Sequence, residues 1–167
     1  TLQPQNDYCF EAGNANGNRV LGTHLPWSNG SIYWDAGNDG GSYDRINKAA
    51  PSPDYYKGKW NHWAYTKNVH TGVMKMYVNG VLWHSGTGKT RDFSGITKFR
   101  IGSSRNSTGN YDGYINDFRV WNKDLDQATI KAWMNKDVDA THPYYNNLIA
   151  YYTFDEETGI VVNDHSA

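Results

Sequence analysis

Trp60-Asn61-His62-Trp63-Ala64-Tyr65-Thr66-Lys67, a turn over 68–72, Val73-Met74-Lys75-Met76-Tyr77-Val78, and then Asn79-Gly80-Val81-Leu82-Trp83-His84 form the stretch that decides the fold. Each run is short, rich in aromatic and branched side chains, and alternates with polar residues at a period of two, which is the pattern of strands. The alternation predicts Trp60, His62, Ala64 and Thr66 on one face and Asn61, Trp63, Tyr65 and Lys67 on the other. In the next strand Met74, Met76 and Val78 share a face. Asn-Gly between apolar runs is the strongest short-range hairpin signal, because a type I′ turn needs positive φ at both central positions. It stands at Asn79-Gly80 and again at Asn29-Gly30, between the runs 19–27 and 31–35.

Outward from this stretch the texture persists. Residues 98–102, 114–121 and 148–154 read as further strands. Residues 36–43, rich in glycine, and 49–59, with Pro51 and Pro53, read as loops. One helix is predicted. Asp126 is its N-cap, Ile130, Trp133 and Met134 share a face, and 135–143 end it. Many short strands with one helix point to an all-β fold, a β-sandwich.

Composition agrees. The chain has 167 residues and a mass of 19.0 kDa, enough for one domain with its own core. Aromatics at 15% exclude a disordered chain. Sixteen basic against 17 acidic residues give a net charge of -1, which argues against a nucleic-acid binder. No apolar run is long enough to cross a bilayer. Cys9 is the lone cysteine, so it has no internal disulfide partner and is expected to be a buried apolar residue.

The motifs resemble those of the laminin-G-like, concanavalin A-like jelly-roll family. Gly58-Lys59-Trp60-Asn61-His62-Trp63-Ala64 resembles its G-x-W-x-H-x-A strand. Met74 to Gly80 is similar to the alternating run that ends in Y-V-[DN]-G. Phe99-Arg100-Ile101-Gly102 resembles its short I-G strand, and Gly113-Tyr114-Ile115-Asn116-Asp117-Phe118-Arg119-Val120-Trp121-Asn122 its G-x-I-D-E-V-R-I-W-N strand. Leu125 to Ile130 matches the helix that follows. The resemblance spans about 19–134 and implies a sandwich jelly roll. The family's usual Asp is Asn116 here. Residues 1–167 are expected to form one such sandwich. Two readings of the tail, 144–167, stay open: it completes the sandwich, or it begins a following module.

The candidate chemistry divides by residue type. Ser85-Gly86-Thr87-Gly88-Lys89-Thr90 imitates a phosphate loop but lacks the earlier glycine and a following helix, so it reads as a plain loop. Glucanases of similar fold use an E-x-D-x-x-E strand, and Glu11, Glu156 and Glu157 do not have that spacing, so no catalytic residue is assigned. The six histidines show no zinc spacing, and His62 is expected to be a core residue. Asp35, Asn38, Asp39 and Asp44 crowd the glycine-rich segment and could supply calcium with oxygens; ordinary turn chemistry is the competing reading. The resemblance implies calcium as a cofactor, because relatives often bind it.

The aromatic surplus points to sugars. A pyranose ring packs its C–H face on an indole or phenol while Asn, Asp and Arg bond its hydroxyls. Trp27, Trp34, Tyr43, Arg45, Asn106 and Tyr111 are the candidate ligand-binding residues. Trp60, Trp63, Trp83 and Trp121 are expected in the core. The expected function is a non-catalytic carbohydrate-binding or adhesion module, secreted or on a cell surface and part of a larger chain, with a glycan or a cell-surface protein as partner. A structural or protein-binding module is the alternative.

Overall fold

The computed structural model describes residues 2–39 and 41–166, without the Asp39 side chain. The chain divides into two compact units, Thr1–Gly113 and Tyr114–Ala167. The first holds eight strands: β1 (Phe10–Asn14), β2 (Arg19–His24), β3 (Ser31–Asp39), β4 (Ser42–Ala49), β5 (Trp63–Asn68), β6 (Val73–Val78), β7 (Val81–Gly86) and β8 (Ile96–Ile101). They form two antiparallel sheets, ordered β4-β3-β2-β1-β8 and β5-β6-β7.

The two sheets pack face to face. Strand alternation sends Phe10, Trp34 and Ile46 of the larger sheet inward, where Trp34 and Phe10 meet Tyr65 at 5.4 and 6.1 Å between ring centroids. Met74 and Met76 are fully buried, as their shared face requires. Asn79 and Gly80 both have positive φ and turn β6 tightly into β7, the backbone of a type I′ hairpin.

Asn29-Gly30 also lies in a hairpin, but the connection is longer. Only Gly30 of the pair has positive φ, and residues 25–30 close through Trp27 N–H to the Ser31 carbonyl and Ser31 N–H to Asn29 Oδ1. Residues 36–39 and 42–43 are strand, not loop: β3 runs to Asp39 and β4 starts at Ser42, and Gly37 serves a bulge between Ala36 and Asn38. Gly37 sits in that bulge at φ +82°, and a Cβ there would lie 2.2 Å from the Arg91 carbonyl oxygen, so no other residue fits. β5 begins at Trp63 rather than Trp60. Its inward face is the Trp63-Tyr65-Lys67 set, and Trp60 is 68% exposed, outside the core expected for it. β1 carries no signal strong enough to be read from its five residues, with Glu11 and Gly13 among them.

One charged group crosses the core. Lys67 Nζ, with a side chain removed from solvent, donates to Asp44 Oδ2 at 2.9 Å and to the carbonyls of Ala36 and Arg91 at 2.8 and 2.6 Å. Arg91 bonds Asp44 Oδ1 at 2.9 Å. These bonds pin the segment after β7 onto β3 and β4. Burial pushes the Asp44 carboxyl up, but the bonds from Lys67 and Arg91 outweigh it and hold the group below the ordinary carboxylate range.

The second unit pairs β9 (Phe118–Trp121) with β10 (Leu148–Tyr152), the strand that the tail contributes. α1 (Gln127–Trp133) starts where expected, with Asp126 Oδ1 accepting from Thr129 N–H at 2.7 Å. Arg119 donates to the carbonyls of Trp133 and Lys136, tying β9 to the end of the helix. Its guanidinium lies over Tyr151, and His142 stacks on Trp121 at 4.4 Å. Among the described residues no helix is long and apolar enough to cross a membrane.

Asp44→Ala is expected to cost about 3–5 kcal/mol in urea unfolding, because it strands a buried ammonium group. Loss of a few tenths would show that Lys67 relaxes to solvent.

Candidate ligand-binding face

The opposite face of the five-stranded sheet carries the candidate site. Register places Arg45, Asp35, Gly22, Glu11 and Arg100 in one row across β4, β3, β2, β1 and β8. The neighbouring row holds Asn47, Tyr33 and His24. On the other side lie Tyr43, Arg19, Gly13 and Lys98. Glycine at positions 13 and 22 leaves floor space that longer side chains cross. A Cβ on Gly13 would stand 2.4 Å from Arg105 Cδ.

Charges knit this face together. The carboxylates of Glu11 and Asp35 are fully buried. Arg19 bonds both, and Arg45 grips Asp35 through two nitrogens, at 2.6 and 2.8 Å. Arg105 reaches Glu11 from the 103–112 loop, through Nη1 at 2.9 Å and its backbone N–H at 2.8 Å. Burial works against the Arg19 charge, yet Asp35 and Glu11 more than offset this and hold its pKa above the ordinary value. Two-pronged arginine bonds of this kind are among the strongest in proteins.

Aromatic rings complete the surface. Arg45 lies over Tyr33 and Tyr43, at 4.7 and 5.2 Å, and Arg19 over Tyr8 and Tyr43, at 5.2 and 5.1 Å. His24 is wedged among Tyr8, Trp27 and Tyr33, at 4.4, 4.3 and 5.8 Å. Its Nδ1–H donates to the Asp7 carbonyl. Burial lowers the His24 pKa; that bond opposes the shift and Arg19 reinforces it. Neutral His24 thus seats Trp27 beside the tyrosines.

The residues singled out in the sequence fall into separate places. Trp27, Tyr43, Arg45 and Asp35 share the outer face. Asn106 is exposed on the loop that sends Arg105 to it. Trp34 is on the inner face, 5% exposed, with its Nε1–H on the Thr66 carbonyl. Tyr111 lies apart from the tyrosine group; burial, with Cys9, Asp7 and Asp112 nearby, raises its phenol well above the ordinary value. Asp35 and Asp44 sit on opposite faces of the sheet because they follow its pleat, and arginine and lysine already hold both. The Asn38 amide bonds the Arg19 carbonyl and its Oδ1 accepts from Gly41 N–H. Asp39 has its side chain outside the described residues. The described members of the calcium set are therefore not gathered into one cluster of oxygens.

Glu11, Arg19, His24, Tyr8 and Arg105 were not legible as site residues. The one local hint was a carboxylate set in the apolar run Cys9-Phe10-Glu11-Ala12. Among the described residues, Asp155, Glu156 and His165 bring ligand-type atoms within 4.8 Å of one another. Thr153 and the Asn163 N–H already bond the two carboxylates.

The chain belongs to the concanavalin A-like lectin/glucanases superfamily, whose family model matches residues 2–131. No curated protein matches it. Among solved structures it is similar to a protein from Bacteroides ovatus ATCC 8483 provisionally described as carbohydrate binding, with 18% identity and a TM-score of 0.62 over 99% of this chain and 51% of that one. It is also similar to the binding domain of botulinum neurotoxin serotype D, with 22% identity and a TM-score of 0.54 over 78% of this chain and 32% of that one. The chain thus spans about half or less of these structures' length.

The lowered His24 pKa sets a sign. The stability it contributes is complete above the unfolded histidine value of about 6.5 and is lost as pH falls through the folded value. Melting temperature is expected to fall between pH 7 and 5, and to fall less in His24→Gln. Equal slopes in the two proteins would remove His24 from the account.

Proposed function

We propose that this domain is a non-catalytic carbohydrate-recognition module of a secreted or surface-displayed protein, and that the outer face of the five-stranded sheet is where the glycan docks. The observation that carries the reading is the juxtaposition of half-buried Trp27, Tyr33 and Tyr43 with the Arg45 fork on one face. Flat rings accept the C–H face of a pyranose, and the guanidinium and the exposed Asn47 and Asn106 supply donors and acceptors for its hydroxyls. The superfamily and the carbohydrate-binding description of the Bacteroides ovatus structure support the same reading.

A hydrolytic role fits the face poorly. Both oxygens of Glu11 and both of Asp35 accept bonds from Arg19, Arg45 or Arg105, so neither carboxyl is free to protonate or attack a glycosidic bond.

A glycan array identifies the ligand, and Tyr43→Ala and Trp27→Ala then test the platform. Each is expected to weaken binding about tenfold, the equivalent of one stacking contact of roughly 1.4 kcal/mol. Undiminished binding by both variants, with unchanged melting, would move the site off this face.

A further inference from the structure

The outer face is cationic on a chain whose net charge is -1. Its described side chains include five cations, Arg19, Arg45, Lys98, Arg100 and Arg105, against two carboxylates, Glu11 and Asp35. Glu11 and Asp35 are consumed by Arg19, Arg45 and Arg105. Among the described residues, Lys98 and Arg100 form no ion pair with a carboxylate. They project from β8 on the same face, because Phe99 between them turns inward to stack on Phe10 at 6.0 Å, and both are exposed. Arg45 adds a partly exposed guanidinium at the other end of the same row, its side chain 37% accessible. A row that begins and ends in accessible arginine, with the acids sunk beneath, presents positive charge to whatever lies across it.

A neutral sugar leaves this surplus unanswered. An anionic group answers it, and the planar fork of arginine matches a carboxylate or a sulfate oxygen pair. Resting on the carbohydrate reading above, we infer that the glycan is acidic, a polysaccharide bearing uronate carboxylates or sulfate half-esters. Its rings pack on Trp27, Tyr33 and Tyr43 around the β3–β4 end of the row, and its charged groups pair with Arg45, Arg100 and Lys98. The spread of these cations from β4 to β8 suits a polymer with repeated charges better than a single terminal acid.

Matched polysaccharides test this with the 167-residue chain. Polygalacturonate is compared with its methyl ester, and dextran sulfate with neutral dextran, by calorimetry or affinity electrophoresis. At least one acidic form is expected to bind about tenfold more tightly than its neutral counterpart, with the advantage shrinking as salt rises from about 50 to about 500 mM. Which acidic form binds tells carboxylate from sulfate. Lys98→Glu combined with Arg100→Glu, on the exposed side of β8, is expected to remove that advantage without changing the melting temperature. Melting in this variant is measured alongside, and Lys98→Gln with Arg100→Gln supplies a milder version if the double reversal unfolds. Equal binding of acidic and neutral forms, alongside array binding that depends on Tyr43, would overturn the inference and leave the carbohydrate reading standing. No binding to any of the four, with an array that is also blank, would overturn both. Double-stranded DNA bound as tightly as the acidic polysaccharide would overturn the inference too, by making the face a general polyanion site.

Discussion

Asp35 on β3 pairs with Arg45 and Asp44 on β4 pairs with Ala36, so the two carboxylates stand one register position apart and point to opposite sides of one sheet, and each must find a cation where it points. Asp35 meets Arg19 and Arg45 on the outer face; Asp44 meets Lys67 and Arg91 on the inner. Burying a carboxylate is tolerated only with such pairing. The two sets of bonds therefore do more than hold β3 to β4. The inner set clamps the opposing sheet and the segment after β7 against the core, while the outer set spreads arginines over the face that carries the candidate site.

The outer set also explains why that face is built from long polar side chains rather than small ones. Gly13 leaves the pleat bare for Arg105 to lie across it, Gly22 makes room for the Glu11 stem, and Arg19 reaches over the same face to Glu11 and Asp35. The arginine stems cover apolar backbone while their heads reach Glu11 and Asp35. Tyr8, Tyr33 and Tyr43 then pack against the guanidinium planes. Rigid rings and fixed donors are what a sugar site needs, because a preorganised surface spends less of its binding energy on ordering side chains. The second unit repeats the device on a small scale, where Arg119 joins strand, helix end and Tyr151.

Local pattern made much of the fold legible. The Val73–Val78 alternation, the Asn79-Gly80 turn and the Asp126 cap depend on neighbours one to four residues away, and each stands where expected. Failures came where a local signal had a distant cause. The glycine-rich run suggested a loop from residue 36, but Gly37 answers to Arg91, more than fifty residues on, and the chain at 36–39 is paired strand. Trp60 extends the alternation of β5 on paper, but pairing with β6 starts only at Trp63.

The candidate site divides in the same way. Composition and loop-side aromatics were enough to suggest a sugar and to name Trp27, Tyr43 and Arg45. Which of the named residues share a surface depends on strand register, because a shift of one residue exchanges the two faces. Register put Trp34 in the core and Asp44 beside Lys67, and it brought Glu11 and Arg19, eight residues apart and inconspicuous in the chain, into the centre of the face. The sequence by itself determined that strands form and where they turn, since period and turn chemistry are local. Only the tertiary structure decided which charges meet, because that depends on pairings between strands far apart in the chain.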